Sequence, residues 1–212
     1  MKRTLIVIAL IAALIAPVWA QTSGTTPEGI AWSQTSDGKG IIIDSYDGTA
    51  TAVRVPDRIN NLPVVEINMN AFNAISGVTR ITSVVIPNTV TKIGDAAFGG
   101  QSEITSITLP SSLIEIGRNA FQGCGFTSIT LPASVRTIGI GAFATCRALT
   151  SVSLPASITT IGNDAFRLCV ALTTVTIPSS VTRITFGTNV FTGATNLNAV
   201  SVATLQRVGY TF

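Results

Sequence analysis

Five prolines, Pro87, Pro110, Pro132, Pro155 and Pro178, fall 22 or 23 residues apart, and each closes the same short phrase. The phrases open at Ser83, Ser106, Ser128, Ser151 and Thr174 and read SVVIP, SITLP, SITLP, SVSLP and TVTIP. Three residues beyond each proline stands an apolar side chain: Val90, Leu113, Val135, Ile158 or Val181. Ile-Gly follows at Ile93-Gly94, Ile116-Gly117, Ile138-Gly139 and Ile161-Gly162, and Ala-Phe at Ala97-Phe98, Ala120-Phe121, Ala142-Phe143 and Ala165-Phe166. A unit this short cannot bury its own apolar face. It folds only by stacking on copies of itself, which predicts a solenoid.

Each repeated residue type has a mechanical role. Alternating apolar positions such as Ile104, Ile107 and Leu109 point into the coil as a strand requires. Proline lacks an N–H and ends the strand where the chain turns. Glycine after isoleucine is expected to supply a backbone conformation closed to residues with a Cβ. Phe72, Phe98, Phe121, Phe143, Phe166 and Phe191 are expected to stack in one column beneath short helical or 3₁₀ turns, opposite a parallel sheet.

The ends depart from the pattern, as capping units do. Val64 to Phe72 repeats it with Asn68 where glycine stands elsewhere, read here as a left-handed residue. Ile41–Ile43 and Thr51–Val55 flank Asp47-Gly48 and read as a hairpin over the N-terminal end of the core. Residues 197–212 read as a truncated last coil. Lys2 and Arg3, the apolar run Leu5–Ala16 and Val18-Trp19-Ala20 form the pattern of a secretory signal peptide; an uncleaved N-terminal anchor is the alternative. The expected organisation is a signal peptide over 1–20, a flexible leader over 21–29, a cap hairpin and first strand over 30–63, and a solenoid over 64–212.

The unit L-T-x-I-x-L-P-x-S-V-x-x-I-G-x-x-A-F-x-x-C resembles the leucine-rich repeat of the BspA-type class, found in bacterial surface proteins, over roughly residues 50–212. The Ile41-Ile-Ile-Asp-Ser-Tyr-Asp-Gly48 segment resembles the cap such proteins carry. The resemblance implies a secreted or surface-displayed protein, with adhesion to proteins or cells as the family precedent.

Composition narrows the chemistry. The chain has no histidine, which excludes Ser-His-Asp, Cys-His and His-ligated metal sites. Glu115 and Asp164 are the only acids after residue 103 and lie on different repeats, a poor basis for paired-carboxylate hydrolysis. Asp44-Ser-Tyr-Asp47-Gly48 falls short of a calcium loop and reads as turn chemistry. Gly139-Ile-Gly141 sits at an ordinary repeat turn and carries no nucleotide signal. The expectation is therefore no catalysis, no cofactor and no metal. Without residues 1–20 the chain holds 11 basic and 10 acidic residues, too even for a nucleic-acid footprint, and no segment after residue 20 is apolar enough to span a membrane.

What remains is surface. Strand alternation sends Ser83, Ser106 and Thr108, Ser128 and Thr130, Ser151 and Ser153, and Thr174 and Thr176 out of one sheet face. That face is the candidate site for a protein or glycan on a host or neighbouring cell, although serine and threonine are also ordinary strand-surface residues. A plain structural or spacer module of the cell envelope is the competing reading. Arg118, Arg136, Arg147, Arg167 and Arg183 form a second candidate, a weak basic patch for an acidic partner. Cys124, Cys146 and Cys169 occupy equivalent positions and are expected to form a buried ladder of thiols, with one disulfide left open.

Overall fold

The computed structural model describes residues 21–74 and 80–212; the expected signal peptide lies outside them. The first described segment, from residue 21, forms three antiparallel strands, β1 (Ser23–Thr25), β2 (Ile30–Gln34) and β3 (Ile41–Tyr46). Each later coil contributes a three-residue strand and a two-residue strand, apart from the first, whose second strand is longer and hairpin-paired. The first type is β4 (Ala52–Arg54), β7 (Ser83–Val85), β9 (Ser106–Thr108), β11 (Ser128–Thr130), β13 (Ser151–Ser153) and β15 (Thr174–Thr176). The second is β6 (Leu62–Ile67, with β5, Arg58–Ile59, hairpinned onto it), β8 (Lys92–Ile93), β10 (Glu115–Ile116), β12 (Thr137–Ile138), β14 (Thr160–Ile161) and β16 (Thr185–Phe186). Helix α1 (Ala199–Arg207) closes the chain. The fold is a parallel β-solenoid. One long sheet runs β1-β2-β3-β6-β8-β10-β12-β14-β16.

The expected aromatic column is present. Phe72, Phe98, Phe121, Phe143, Phe166 and Phe191 stack with ring centroids 5.0–5.4 Å apart and planes within 13° of parallel. This spacing follows the separation of neighbouring strands, about 4.8 Å. A tyrosine ends the column on each side: Tyr46 lies 5.6 Å from Phe72, and Tyr210 meets Phe191 edge-on at 5.1 Å. The Tyr46 hydroxyl donates to the Ala50 carbonyl and the Tyr210 hydroxyl accepts from the Phe191 N–H, so both terminal rings keep a satisfied polar atom. The segments carrying the phenylalanines are chains of i→i+3 turns, such as Gly99 N–H to the Ala96 carbonyl and Gln101 N–H to the Phe98 carbonyl, rather than continuous helix.

Glycine has a different job from the one its sequence position suggested. Gly94, Gly117, Gly139 and Gly162 do not adopt positive φ; a Cβ on any of them would lie 2.6–2.8 Å from the preceding coil. They permit close approach. Asn68, at the head of the same column, is not left-handed either: its amide donates to Asp44 Oδ1 at 3.0 Å. The left-handed residues stand two positions later, at Asn70, Ala96, Asn119, Gly141, Asp164 and Asn189; asparagine, aspartate and glycine tolerate that backbone, and Ala96 adopts it without such help. A second left-handed column holds Gly100, Gly123, Thr145, Leu168 and Gly193. Thr145 is β-branched at φ 58°. Thr145→Gly is expected to raise stability by about 1 kcal/mol in chemical denaturation.

Both ends are built differently from the sequence expectation. Residues 21–29 are not a free leader: β1 pairs with Ala31–Ser33, the chain reverses at Gly29 with φ 86°, and Gly24 lies against the Trp32 ring. The hairpin joins β2 to β3, and its turn signal is Asp37-Gly38, where Thr35 Oγ1 donates to Asp37 Oδ1 at 2.6 Å. Asp47-Gly48 is not that turn, and Ala52–Arg54 instead pairs in parallel with Ser83–Val85. The last segment is a helical cap rather than a truncated coil. Asn198 accepts from the Ser201 N–H at its N-terminus, and the Arg207 guanidinium donates to the Ile177, Pro178, Ser179 and Val181 carbonyls. Those carbonyls belong to the coil that α1 covers, and the guanidinium satisfies them there.

Candidate functional site

The serine and threonine strands turn their middle residues inward. Val53, Val84, Ile129, Val152 and Val175 are buried, and the residues on either side face outward. Register stacks Ser83 on Ser106, then Ser128 on Ser151 and Thr174; Thr130 lines up with Ser153 and Thr176. Ser106, Thr108, Ser128, Thr130 and Thr176 are exposed, whereas Ser83, Ser151, Ser153 and Thr174 are half-buried. The hydroxyls of Ser83, Ser106, Thr108, Ser128, Thr130, Ser151 and Ser153 make no side-chain hydrogen bond to another described residue. Those of Thr174 and Thr176 are partly engaged, with Asn198 and Thr173 and with the Val152 carbonyl respectively.

The face is not one continuous sheet. It divides into β4-β7-β9 and β11-β13-β15. The cause is a missing residue: Phe121 precedes Ser128 by seven positions, whereas Phe98, Phe143 and Phe166 precede their strands by eight. The shortened loop runs through Gly125, where a Cβ would collide with the Ser102 carbonyl oxygen. Phe126 fills the position that Leu149 and Leu172 occupy in neighbouring coils, edge-on to Phe121 and Phe143 at 6.2 Å. Hydroxyl columns therefore span three coils on the C-terminal side of the break, whereas on the other side Ser83 and Ser106 alone stack, beside Ala52, and Thr108 aligns with Val85 and Arg54.

Sequence reading missed a further threonine column. The residue just before three of the strands bonds backward along the solenoid through its hydroxyl: Thr82 to the Thr51 carbonyl, Thr150 to that of Thr127 at 2.9 Å, and Thr173 to that of Thr150 at 3.1 Å. These hydroxyls tie coils together. It also missed the second outward column, on the long sheet, which reads Glu66, Lys92, Glu115, Thr137, Thr160, Thr185. There Lys92 Nζ lies 2.9 Å from Glu66 Oε1, and this hydrogen bond holds the ammonium above the ordinary lysine range.

The five arginines do not share a column. Arg118 follows Gly117 in a turn, Arg136 directly precedes β12, Arg147 follows Cys146, Arg167 follows Phe166 and Arg183 lies ahead of β16. Arg167 sits 3.8 Å from Asp164, and the Arg118 backbone amide is held by Asp95. Equivalent repeat positions stack and different ones do not, so the array spreads these charges around the coil.

Cys124, Cys146 and Cys169 are free and buried. Their thiols donate to the Phe98, Phe121 and Phe143 carbonyls one coil back, and Gln101 makes the same bond to Phe72 with its side-chain amide. Burial pushes the Cys124 and Cys169 thiols up to about 12 and that of Cys146 well above its ordinary value. These are unreactive structural thiols. A disulfide-exchange reagent is expected to modify them at least about 100-fold more slowly in the folded than in the unfolded protein. Because the folded values are raised, the stabilisation is complete below the ordinary thiol pKa of about 8.5 and is lost as pH rises towards about 12, so melting temperature should fall across that window.

Among the described residues, no helix is long and apolar enough to cross a membrane, and no cluster of three His, Cys, Asp or Glu side chains is placed to hold a metal ion. The geometry defines a repeat scaffold with an outward hydroxyl face. The family model for the BspA type leucine rich repeat region matches residues 65–198 in six copies, and the chain belongs to that family. It is similar to the leucine-rich repeat protein of Treponema pallidum (29% identity, 89% of this chain and 97% of that one, TM-score 0.70). It also resembles a leucine-rich cell surface protein of Faecalibacterium prausnitzii (28% identity, 84% of this chain and 54% of that one, TM-score 0.61). The pneumococcal vaccine antigen PcpA shares the fold at 24% identity over 81% of this chain and 47% of its own, with a TM-score of 0.64. No curated protein matches the chain.

Proposed function

We propose that the protein is an exported, non-catalytic recognition module that binds a protein or glycan on a host or neighbouring cell through its serine and threonine face. The observation that carries this reading is the set of outward hydroxyls with no side-chain partner among the described residues, held in register by the buried Ile129, Val152 and Val175. Unbonded hydroxyls in a fixed array offer both donors and acceptors to a polar ligand. Membership in a repeat family and similarity to a protein described as a cell surface protein support the same setting. The signal-like residues 1–20 agree with export. A competing use of the array as a spacer draws on the backward-bonding threonines, Thr82, Thr150 and Thr173, which serve the solenoid itself.

Single hydroxyl contacts are weak, so modest affinity is expected per molecule, raised where many copies are displayed together. The test is a binding screen against host matrix proteins, surface glycans and whole bacterial cells. Wild type is compared with a variant carrying Thr108→Lys, Thr130→Lys, Ser153→Lys and Thr176→Lys. The expected result is a partner that wild type binds and the variant does not, with the melting temperature unchanged within a few degrees. Equal binding by both proteins would remove the face as the site.

A further inference from the structure

We propose that the C-terminal edge of the long sheet docks the N-terminal cap of a second copy of this chain, so that molecules associate head to tail. The long sheet has two ends, and among the described residues β1 and β16 each have one strand neighbour. The two-residue strands β8, β10, β12 and β14 pair on both sides, so the shortness of β16 is no obstacle to a further partner.

The chain covers its two sheet edges unequally. Helix α1 packs beside β15, and Ser201 Oγ accepts from the Val175 N–H at 2.9 Å. Beside β16 lies an open groove of about 790 Å³, lined by residues 182–189 and 206–211. The backbone there is open between two capped amides, that of Ile184, which donates to the Val208 carbonyl, and that of Phe191, which donates to the Tyr210 hydroxyl. The Thr185 and Gly187 amides point back to the Thr159 and Ile161 carbonyls. Successive strand residues alternate, so the N–H and C=O of Phe186 point into the groove. The Asn189 amide belongs to the same edge. At the equivalent position of earlier coils the amide donates forward, from Asn119 to the Ile140 carbonyl, Gly141 to Asn163 and Asp164 to Thr188. Asn189 has no described residue ahead of it to receive that bond.

Charge selects the occupant. No acidic residue follows Asp164, and the groove carries Arg183, whose side chain has no hydrogen-bond or ion-pair partner among the described residues. The N-terminal cap carries Glu28, Asp37, Asp44 and Asp47 against Lys39 alone. The two ends of one molecule are complementary in sign, whereas the hydroxyl face between them is neutral. Val200 and Phe212, 76% and 64% exposed, add apolar surface at the basic end. Joining unlike ends gives a heterologous contact, which builds open chains rather than a closed dimer; strand addition to a free edge supplies backbone bonds.

The experiment is sedimentation velocity on the protein recovered from an exporting host, across about 1 µM to 1 mM and at low and high salt. The exposed reversals Arg183→Glu and Glu28→Lys are run separately and mixed. Wild type is expected to grow in mass with concentration and to dissociate in salt, and each reversal alone to weaken association at least about tenfold. The mixture is expected to regain it, because each reversed end then meets an opposite charge on the other variant. A wild type that stays monomeric throughout would overturn the proposal, as would association that either reversal leaves intact or that mixing fails to restore.

Discussion

Replacing Phe143 with alanine is expected to lower the free energy of unfolding by about 3–5 kcal/mol, the largest effect of any single side chain in the array. The ring is fully buried, lies 5.4 Å from Phe121 and 5.2 Å from Phe166 in near-parallel stacking, and receives the edge of Phe126 at 6.2 Å. Its loss removes apolar burial and leaves a void between two coils that the stacked backbone cannot close. Repeat arrays distribute such damage through neighbours. Amide exchange should therefore accelerate first around Gly123 and Thr145, and last in the N-terminal hairpin. A loss below about 1 kcal/mol, or acceleration spread evenly along the chain, would contradict the neighbour-coupled account.

Gly139→Ala is expected to cost about 1–3 kcal/mol, although it adds one methyl group to a residue whose backbone an alanine can adopt. The new Cβ would stand 2.6 Å from the Gly117 carbonyl carbon and 2.8 Å from the Arg118 nitrogen. Both obstacles are backbone, and Gly117 is itself pressed against Gly94, so relief has to propagate through successive coils. Gly123→Ala provides the comparison. It occupies left-handed backbone with φ 71°, but its nearest neighbour would be 3.7 Å away, so its cost is conformational, about 1 kcal/mol. Urea midpoints for the two variants separate crowding from conformation. Equal small losses would mean that the glycine column is not a close-approach device.

The repeat made most of the fold legible in the sequence. Residues that recur at one position stack at one place, so the period alone puts six phenylalanines in a column and buries three cysteines beneath them. What it hides is the reason for a recurrence. Gly139 and Asn68 look alike as conformational residues; one is a point of backbone contact and the other a side chain bonded to Asp44. The true left-handed positions vary as Asn, Ala, Gly and Asp, so their common backbone leaves no single letter to recognise. A single missing residue before Ser128 looks like a small irregularity of period but divides the hydroxyl face, because strand pairing depends on where the chain enters the sheet. The ends were least legible. Capping is carried out by unrepeated contacts, such as Arg207 on four carbonyls and Ser201 on Val175, which no periodicity announces.

The candidate site was legible as a pattern of residue types but not as a division of labour. From Thr105 onward each coil shows three hydroxyls in a phrase such as T-S-x-T, and only the folded structure separates the backward-bonded Thr150 and Thr173 from the outward Thr130 and Ser153. The most direct measurement of the central claim uses that division. Partner affinity is compared for wild type, for Thr130→Lys with Ser153→Lys and Thr176→Lys, and for a control with the same charge on the other sheet, Thr137→Lys with Thr160→Lys and Thr185→Lys. Loss of binding in the first variant alone, by at least about tenfold with the fold retained, is the result expected of a recognition face. Equal loss in both, or undiminished binding in the first, would contradict it.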